Sequence, residues 1–296
     1  MALSANSKGV FYEPMLCRAQ ATVPGGPGWA LEPKWDGARF VFGRGEDGRM
    51  RAHTRHATAH SGRFPSLEAE LASVLPPGSA LDGELIALCP AEDGKPAQDF
   101  AAVLRALHAR RPREEELLFV AFDLLAVGGR DLRRASCAER RAELELLLAA
   151  REPGGRLRLT PRSEAAPEIH RHHVELGFEG SVAKRLDGRY AGGRRDWVKV
   201  KARHELQARI VSVHRGSDGQ WRALCDAGAA RPSWAMAFSP QARAGLRSGE
   251  LGAGSEVRMI YTRRGPRGEL REARIEPPAS KDAVQRRSAP VVRALD

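Results

Sequence analysis

Hydrophobic positions recur every second residue in two short segments near the start of the chain, and they predict two strands. Trp29 and Leu31 mark the first strand, and Phe40 and Phe42 mark the second. Successive side chains of a strand point to opposite faces, so this period of two is typical of a half-buried strand. The polar stretch between them is predicted to be a tight loop, in which Gly37 lets the backbone pass close to a ligand.

The same patterns place the remaining elements of the first two thirds of the chain. A near-continuous apolar run at 117–127 predicts a buried strand, in which Asp123 must be bonded because an unpaired buried carboxylate is costly. Further strands are predicted at 51–55, 80–88, 181–184 and 197–201. Helices are predicted at 66–75, at 136–150, at 167–176 and after Asp99, with Phe100, Val103, Leu104 and Leu107 facing inward.

After residue 203 the composition changes to short strands separated by turns. Strands are predicted at 208–213, 221–225, 257–261 and 270–275, with a helix at 239–246 between the second and the third. Four or five strands with one helix favour a small barrel of the OB type. The sequence therefore predicts two domains, 1–203 and 204–296.

Charge and composition limit the partners. The 296 residues carry a net charge of +11 with a pI of about 10.1, which favours an anionic partner such as nucleic acid or a nucleotide. The four cysteines lie far apart, so no zinc-ribbon spacing exists, and their sparsity fits a reducing compartment. No signal-peptide segment and no run of about 18 apolar residues is present, so a cytoplasmic protein without a membrane span is expected.

Lysine is rare in this chain, and one lysine lies in the predicted loop. Of the 48 Lys and Arg residues only seven are Lys, and one of these is Lys34. Arg keeps its proton in proteins, whereas a Lys amine can be tuned into a nucleophile. The alternative interpretation of Lys34 is a surface salt bridge.

Several short motifs follow one another in order along residues 13–203. They are Lys34-Trp35-Asp36-Gly37-Ala38-Arg39, Arg55, Leu81-Asp82-Gly83-Glu84, Phe122-Asp123-Leu124, Glu179-Gly180-Ser181-Val182-Ala183-Lys184 and Trp197-Val198-Lys199-Val200-Lys201. Any one of them alone is a weak signal. As a set, they resemble the motifs of the ATP-dependent DNA ligases, which belong to the covalent nucleotidyltransferase superfamily. The wording around Lys34 is most similar to that of small bacterial ligases associated with end-joining repair.

The resemblance implies an α+β fold and a three-step chemistry. A nucleotidyltransferase domain of ATP-grasp-like antiparallel sheets with helices would span 1–203, followed by an OB-fold barrel at 204–296. The neutral amine of Lys34 would attack the α-phosphate of ATP and form a lysine–AMP adduct with release of pyrophosphate. The AMP would move to a DNA 5′-phosphate, and the neighbouring 3′-hydroxyl would displace it.

The resemblance also assigns roles to individual residues. Glu32 would read the adenine amino group, Phe122 would stack on the base, and Arg39, Arg55 and Glu84 would hold ribose or phosphate groups. Lys199 and Lys201, two apart on one strand, would share one face and act on the phosphates. Glu84 and Glu179 would hold Mg²⁺ or Mn²⁺, hard ions that prefer oxygen ligands. A divergent sixth motif leaves Arg271, Arg274 and Lys281 for the departing pyrophosphate.

Alternatives remain open at this point. An RNA ligase, another nucleotidyltransferase such as a capping guanylyltransferase, or a non-catalytic nucleic-acid-binding protein would share some of these features. The expected partners are duplex DNA with a nick or break and other DNA-repair proteins, with a monomeric enzyme. His170, His172 and His173 could bind a metal but fit an exposed polar helix face better, and Trp197, Trp221 and Trp234 fit core or edge packing better than base stacking.

Overall fold

The protein is represented by a computed structural model, which describes residues 5–6, 9–10, 12–90, 96–149, 154–228 and 231–277. The chain divides into two compact units, Met1–Ala202 and Arg203–Asp296. Within the described residues, no helix is both long enough and apolar enough to cross a bilayer.

The first unit is built from two large sheets with helices beside them, and its first two strands form a separate two-stranded sheet. Its strands are β1 Ala5–Asn6, β2 Gly9–Val10, β3 Cys17–Ala19, β4 Trp29–Pro33, β5 Ala38–Arg44, β6 Met50–Thr54, β7 Ser79–Pro90, β8 Pro96–Gln98, β9 Leu117–Val127, β10 Arg130–Asp131, β11 Leu157–Leu159, β12 Ser163–Glu164, β13 Gly180–Arg185 and β14 Trp197–Lys201. Its helices are α1 Pro65–Val74, α2 Phe100–His108, α3 Cys137–Ala149 and α4 Pro167–Glu175, with a 3-10 turn at Glu114–Glu116.

Strand pairing is mostly antiparallel. The larger sheet has the order β10-β9-β7-β5-β6, with β11 beside β9 and β8 beside β7. The smaller sheet has the order β12-β4-β13-β14-β3. Two pairs, β11–β9 and β14–β3, are parallel. The predicted α+β class is confirmed.

The larger sheet buries both of its faces because its strands carry apolar residues on both sides. Phe40 and Phe42 of β5 pack on one face against the helices, in a cluster that includes Phe64 and Leu67. Val41 of the same strand faces the other way and joins a cluster with Leu125, Tyr190 and Trp197. Trp197 belongs to β14 of the smaller sheet, so this second cluster lies between the two sheets.

A buried ion pair satisfies the aspartate that interrupts the apolar strand β9. Arg140 of α3 donates from Nε to Asp123 Oδ1 (2.7 Å) and from Nη2 to Oδ2 (3.0 Å), and both side chains are at most 3% exposed. Its Nη1 donates to the carbonyl oxygens of Ala135 and Gly188. The pair therefore fixes α3 and the segment around Gly188 against β9.

Helix α2 begins as predicted but presents a different face to the sheet. The Asp99 side chain accepts a hydrogen bond from the Ala102 N–H (3.1 Å) and caps the helix. The buried positions are Ala102, Val103 and Ala106, whereas Leu104 is 39% exposed. The prediction that Leu104 faces inward was wrong, because the two small alanines form the face that packs on the sheet.

The second unit contains a closed barrel. Its strands are β15 His204–Arg215, β16 Trp221–Asp226, β17 Ser233–Ala237, β18 Glu256–Tyr261, β19 Arg263–Arg264, β20 Leu270–Arg271 and β21 Arg274–Glu276, with helix α5 Pro240–Ser248. The barrel order is β15-β16-β17-β21-β18, and β17 runs parallel to β21. A five-stranded barrel with a helix between its third and fourth strands is the arrangement of the OB fold.

Two details of the barrel differ from the predictions. Strand β17 was not predicted, and the predicted strand 270–275 is divided at Glu272, whose φ of 51° interrupts the pairing. Trp197 is buried, but Trp234 on β17 points outward and is 51% exposed, with His214 edge-on at 5.0 Å. The expected core or edge packing is therefore wrong for Trp234.

Replacing Arg140 should destabilise the first unit strongly, because Asp123 would keep a buried and unpaired charge. We expect Arg140→Met to lower the free energy of unfolding by about 3–5 kcal/mol. Arg130→Met is the matched control, since the exposed Arg130–Glu143 pair (2.6 Å) should contribute at most about 1 kcal/mol. Urea unfolding, with hydrogen exchange of peptides from β9, measures both; equal effects of the two variants would contradict the structural role of the pair.

Candidate functional site

A cavity of ≈ 760 Å³ lies in the first unit among strands of both sheets. Its lining includes the predicted site residues Glu32, Lys34, Arg39, Arg55, Glu84, Phe122 and Lys199. Glu32 comes from β4, Arg39 from β5, Glu84 from β7, Phe122 from β9 and Lys199 from β14. Glu179 and Lys201 are not part of the lining but are bonded to it through Lys34.

Lys34 follows β4 directly and is held by an ion pair. Its backbone N–H donates to the Gly180 carbonyl (2.9 Å), and its Nζ donates to Glu179 Oε2. The other oxygen of Glu179 accepts from Lys201 Nζ (2.8 Å). Burial alone would raise the pKa of Glu179, but Lys34 and Lys201 outweigh burial and lower it. The Lys34 side chain is therefore paired with a carboxylate here.

The loop that carries Lys34 is fixed on both sides. Trp35 Nε1 donates to Thr160 Oγ1 (2.9 Å), and the Asp36 N–H donates to Gln98 Oε1 (2.7 Å). A Cβ on Gly37 would lie 2.1 Å from the Leu85 carbonyl oxygen. Gly37 is thus required by the close approach of β7, and it also lines the cavity. These contacts limit how far the loop can move and so define the position of Lys34.

A second buried ion pair lies on the wall of the cavity. Lys184 Nζ is 2.7 Å from Glu32 Oε2 and donates to the Phe122 carbonyl (2.9 Å). The same Nζ lies 4.3 Å from the ring centroid of Trp197 and 4.7 Å from that of Phe122. Lys184 stands in a predicted motif but was not predicted as a site residue. Lysine is rare in this Arg-rich chain, and this rarity was the signal that could have indicated Lys184.

Arg39 is held inside the protein although it lines the cavity. Its Nε and Nη2 donate to the two oxygens of Asp82 (2.9 and 2.5 Å), and its Nη1 donates to the Met15 carbonyl (2.6 Å). Burial alone would lower the pKa of Arg39, but Asp82 outweighs burial and raises it. Asp82 therefore fixes the orientation in which Arg39 can meet a ligand.

Arg55 and Lys199 offer positive charge to the cavity. Arg55 is exposed in the loop after β6 and contacts His56. Lys199 is half-buried, and no ion pair joins its ammonium to a carboxylate in the described part of the chain. Lys199 and Lys201 lie on one side of β14, as predicted, but only Lys199 lines the cavity. The cavity can accordingly attract an anionic group at Lys199 and Arg55.

Glu84 differs from Glu179 in its partners. It is half-buried on β7, and burial raises its pKa to about 7, with Lys34 and Arg39 acting in the opposite direction. Glu179 is already occupied by two ammonium groups, whereas Glu84 faces the cavity. Among the described residues, no group of three or more His, Cys, Asp or Glu side chains could hold a metal ion. Of the two predicted metal ligands, only Glu84 lines the cavity.

The three histidines of α4 neither form a metal site nor share an exposed face. The Nδ1 atoms of His170 and His173 lie 2.9 and 2.8 Å from the Ser181 Oγ, and Ser181 is fully buried. Burial lowers the pKa of His173 to about 4, so the ring is neutral at pH 7. The prediction of an exposed polar face was wrong for His170 and His173, because α4 packs their rings against β13, whereas His172 is exposed.

The residues of the predicted sixth motif lie in the second unit. Arg271 belongs to β20, and Arg274 of β21 places its guanidinium 5.0 Å from the ring centroid of Phe238. Lys281 lies outside the described residues.

The first unit resembles known proteins in sequence. Residues 14–201, more than half of the chain, match the model of a family described as ATP dependent DNA ligase domain. The multifunctional non-homologous end joining protein LigD of Pseudomonas aeruginosa is 39% identical over 186 residues, which are 62% of this chain and 21% of that protein. DNA ligase C2 of Mycolicibacterium smegmatis is 35% identical over 207 residues, which are 67% of this chain and 55% of that protein.

Solved structures resemble the chain over most of its length. The ligase domain of LigD from M. tuberculosis is 25% identical with a TM-score of 0.54, and the match covers 90% of this chain and 95% of that one. A Lig E DNA ligase has a TM-score of 0.62 at 19% identity, covering 90% of this chain and 99% of that one, and shows the fold. The chain spans much less than two thirds of the length of the two curated relatives above.

Glu84 should make the stability of the first unit depend on pH. Because its folded pKa of about 7 exceeds its ordinary value of 4.5, the folded state binds the extra proton, and stability falls as pH rises from about 4.5 to 7. We expect the unfolding free energy of the wild type, relative to Glu84→Gln, to fall by about 3 kcal/mol over this range. Urea unfolding at several pH values measures this difference, with Glu115→Gln at an exposed position as the control. Equal pH profiles of the wild type and Glu84→Gln would contradict the assignment.

Proposed function

The chain belongs to the ATP-dependent DNA ligase family, and we propose that it seals nicks in duplex DNA through a lysine–AMP intermediate. The observation that carries the proposal is the position of Lys34. It lies at a cavity of ≈ 760 Å³ between Glu84 and the Glu179–Lys201 pair. A cavity of this volume can hold a nucleotide.

Lys34 is the proposed nucleophile. When ATP enters, the triphosphate competes with Glu179 for the ammonium, and the nitrogen leaves the carboxylate. After its proton passes to solvent, the amine forms a bond to the α-phosphorus while the bond from this phosphorus to the bridging oxygen breaks and pyrophosphate leaves. An oxygen of the DNA 5′-phosphate then attacks the phosphorus of the adduct, and the nitrogen–phosphorus bond breaks, which restores Lys34. The 3′-hydroxyl attacks the activated 5′-phosphorus, forms the phosphodiester bond and releases AMP. Phosphoryl chemistry of this kind depends mainly on positioning and charge.

The remaining residues bind and orient the nucleotide in this proposal. Glu32, held by Lys184, accepts a hydrogen bond from the adenine amino group, and the Phe122 ring stacks on the base. Lys199, with the exposed Arg55, contacts phosphate or ribose oxygens. Arg39 does the same from its fixed position beside Asp82.

A divalent metal ion is proposed at Glu84. Bound there, Mg²⁺ or Mn²⁺ would neutralise charge on the triphosphate. Glu179, which was predicted as a second metal ligand, instead serves to hold Lys34 and Lys201, because both of its oxygens already accept ammonium groups.

The two units divide the work in this proposal. Residues 1–203 perform the adenylation, and the OB-fold barrel of 204–296 contributes basic surface for duplex DNA. We further propose that the enzyme acts as a monomer on nicks or breaks in duplex DNA in the cytoplasm, in company with other repair proteins. A net charge of +11 supports a DNA partner.

Loss of the Lys34 amine should abolish the first step. After incubation with α-labelled ATP and Mg²⁺, we expect label on the denatured wild type and none on Lys34→Ala or Lys34→Arg. The Arg variant keeps the charge and removes only the nucleophile. Label on either variant would exclude Lys34 as the attachment point. Sealing of nicked RNA but not nicked DNA by the labelled enzyme would favour the RNA-ligase alternative.

The metal requirement should depend on Glu84 and not on Glu179. We expect Glu84→Gln to raise the Mg²⁺ concentration for half-maximal labelling by about ten-fold or more, since a ligand is weakened. Glu179→Gln should slow labelling without shifting this concentration, because it releases Lys34 from its position. Titration of Mg²⁺ at saturating ATP measures both variants, and the reverse pattern would place the metal at Glu179.

A further inference from the structure

The hydroxyl of Tyr190 joins three segments that are far apart in the sequence. Tyr190 lies between β13 and β14 and is 4% exposed. Its Oη donates to Asp82 Oδ2 (2.6 Å) and accepts from the Met15 N–H (3.0 Å). Burial, and then Asp82, raises the pKa of Tyr190 well above its usual value, so the phenol keeps the proton that it donates.

The Asp82 carboxylate connects this hydroxyl to Arg39. Asp82 is fully buried, and its Oδ2 receives both the Tyr190 hydroxyl and the Arg39 Nη2 (2.5 Å), while Oδ1 receives the Arg39 Nε (2.9 Å). A paired carboxylate and guanidinium lie in one plane, so the rotation of the carboxylate sets the plane of the guanidinium. The Tyr190 hydroxyl restrains this rotation at the oxygen that Arg39 shares, and it also accepts a long hydrogen bond from Arg39 Nη2 (3.4 Å).

Aromatic contacts complete the enclosure of Arg39. Its guanidinium carbon is 5.2 Å from the ring centroid of Phe122 and 5.1 Å from that of Trp197. The ring of Tyr190 packs edge-on against the same Trp197 at 5.7 Å. Tyr190 thus supports Arg39 through a carboxylate and through a ring, while Arg39 itself lines the cavity.

We propose that Tyr190 is a positioning residue for Arg39: its hydroxyl orients Asp82, and Asp82 sets the guanidinium at the angle needed by the bound nucleotide. The inference rests on the proposed function, since it concerns the same cavity. In this proposal, Tyr190 itself contacts neither the nucleotide nor the reacting atoms. Its effect reaches ATP entirely through Arg39.

A competing explanation is that Tyr190 only anchors its own loop. The Tyr190 N–H donates to the Arg133 carbonyl (2.9 Å), and Gly193 and Arg195 of the same loop line the cavity. Tyr190→Phe separates the two explanations, because it keeps the backbone contact and the ring and removes only the hydroxyl.

The first measurement is the ATP dependence of Lys34 labelling by Tyr190→Phe. We expect the ATP concentration for half-maximal rate to rise about five- to ten-fold, the effect of one hydrogen bond, while the maximal rate changes less than about two-fold. Loss of a contact that is already present in the bound ground state weakens binding more than it slows catalysis. Tyr12→Phe, which also loses a partly buried hydroxyl, should leave both values unchanged.

The second measurement tests whether the effect passes through Arg39. In an Arg39→Lys background, which lacks the planar fork, Tyr190→Phe should produce no further change in the ATP dependence. The same five- to ten-fold change in both backgrounds would assign Tyr190 to the loop and overturn the inference. If Arg39→Lys does not fold, ATP binding is compared between Lys34→Met and the double variant Lys34→Met/Tyr190→Phe. The inference requires that Tyr190→Phe weakens ATP binding in this background by the same factor.

The failure of the inference is distinguishable from the failure of the proposed function. An unlabelled wild type would contradict the ligase mechanism itself. A labelled wild type with an unchanged Tyr190→Phe variant would contradict only the role of Tyr190. Thermal melting of every variant shows whether a loss reflects unfolding.

Discussion

The interaction on which the rest of this site depends is the bond between Lys34 and Glu179, two residues 145 positions apart. It joins the end of β4 to the start of β13, and Lys201 on β14 binds the second oxygen of the same carboxylate. One buried anion thereby gathers two of the few lysines of the chain at one place. In the proposed mechanism, an incoming phosphate replaces Glu179 as the negative charge beside Lys34. The ion pair would thus keep the proposed nucleophile in position until substrate arrives.

Other cations of the first unit are also held by buried carboxylates. Lys184 is paired with Glu32, Arg39 with Asp82, and Arg140 with Asp123, all largely buried. Buried ion pairs contribute little net stability compared with apolar packing, but breaking one is costly, so each pair holds its partners in a single arrangement. The aromatic rings of Phe122 and Trp197 lie against Arg39 and Lys184. Lys199 is the exception, since its ammonium faces the cavity without a paired carboxylate among the described residues, and this makes it the group most available to an anion.

Local sequence patterns predicted much of the fold and of the cavity lining. The apolar alternation around Phe40 and the apolar run 117–127 predicted β5 and β9, and the order of the motifs indicated which residues would meet. The errors arose where local pattern and tertiary packing disagree. Leu104 has the spacing of an inward residue, but alanines pack closer to the sheet. Trp234 is large and apolar, yet it faces outward from a strand whose alternate residues are small.

The sequence by itself determined most of the elements and the family, and it indicated Lys34 as the proposed nucleophile, because these depend on short-range periodicity and on residue types at fixed spacing. Only the tertiary structure decided which carboxylate takes which cation. Glu84 and Glu179 carry the same carboxylate group. Glu179 is paired with the ammonium groups of Lys34 and Lys201, whereas Glu84 is desolvated at the cavity wall, where burial raises its pKa to about 7. That difference arises from burial and from neighbours distant in the chain, which no local pattern of residues encodes.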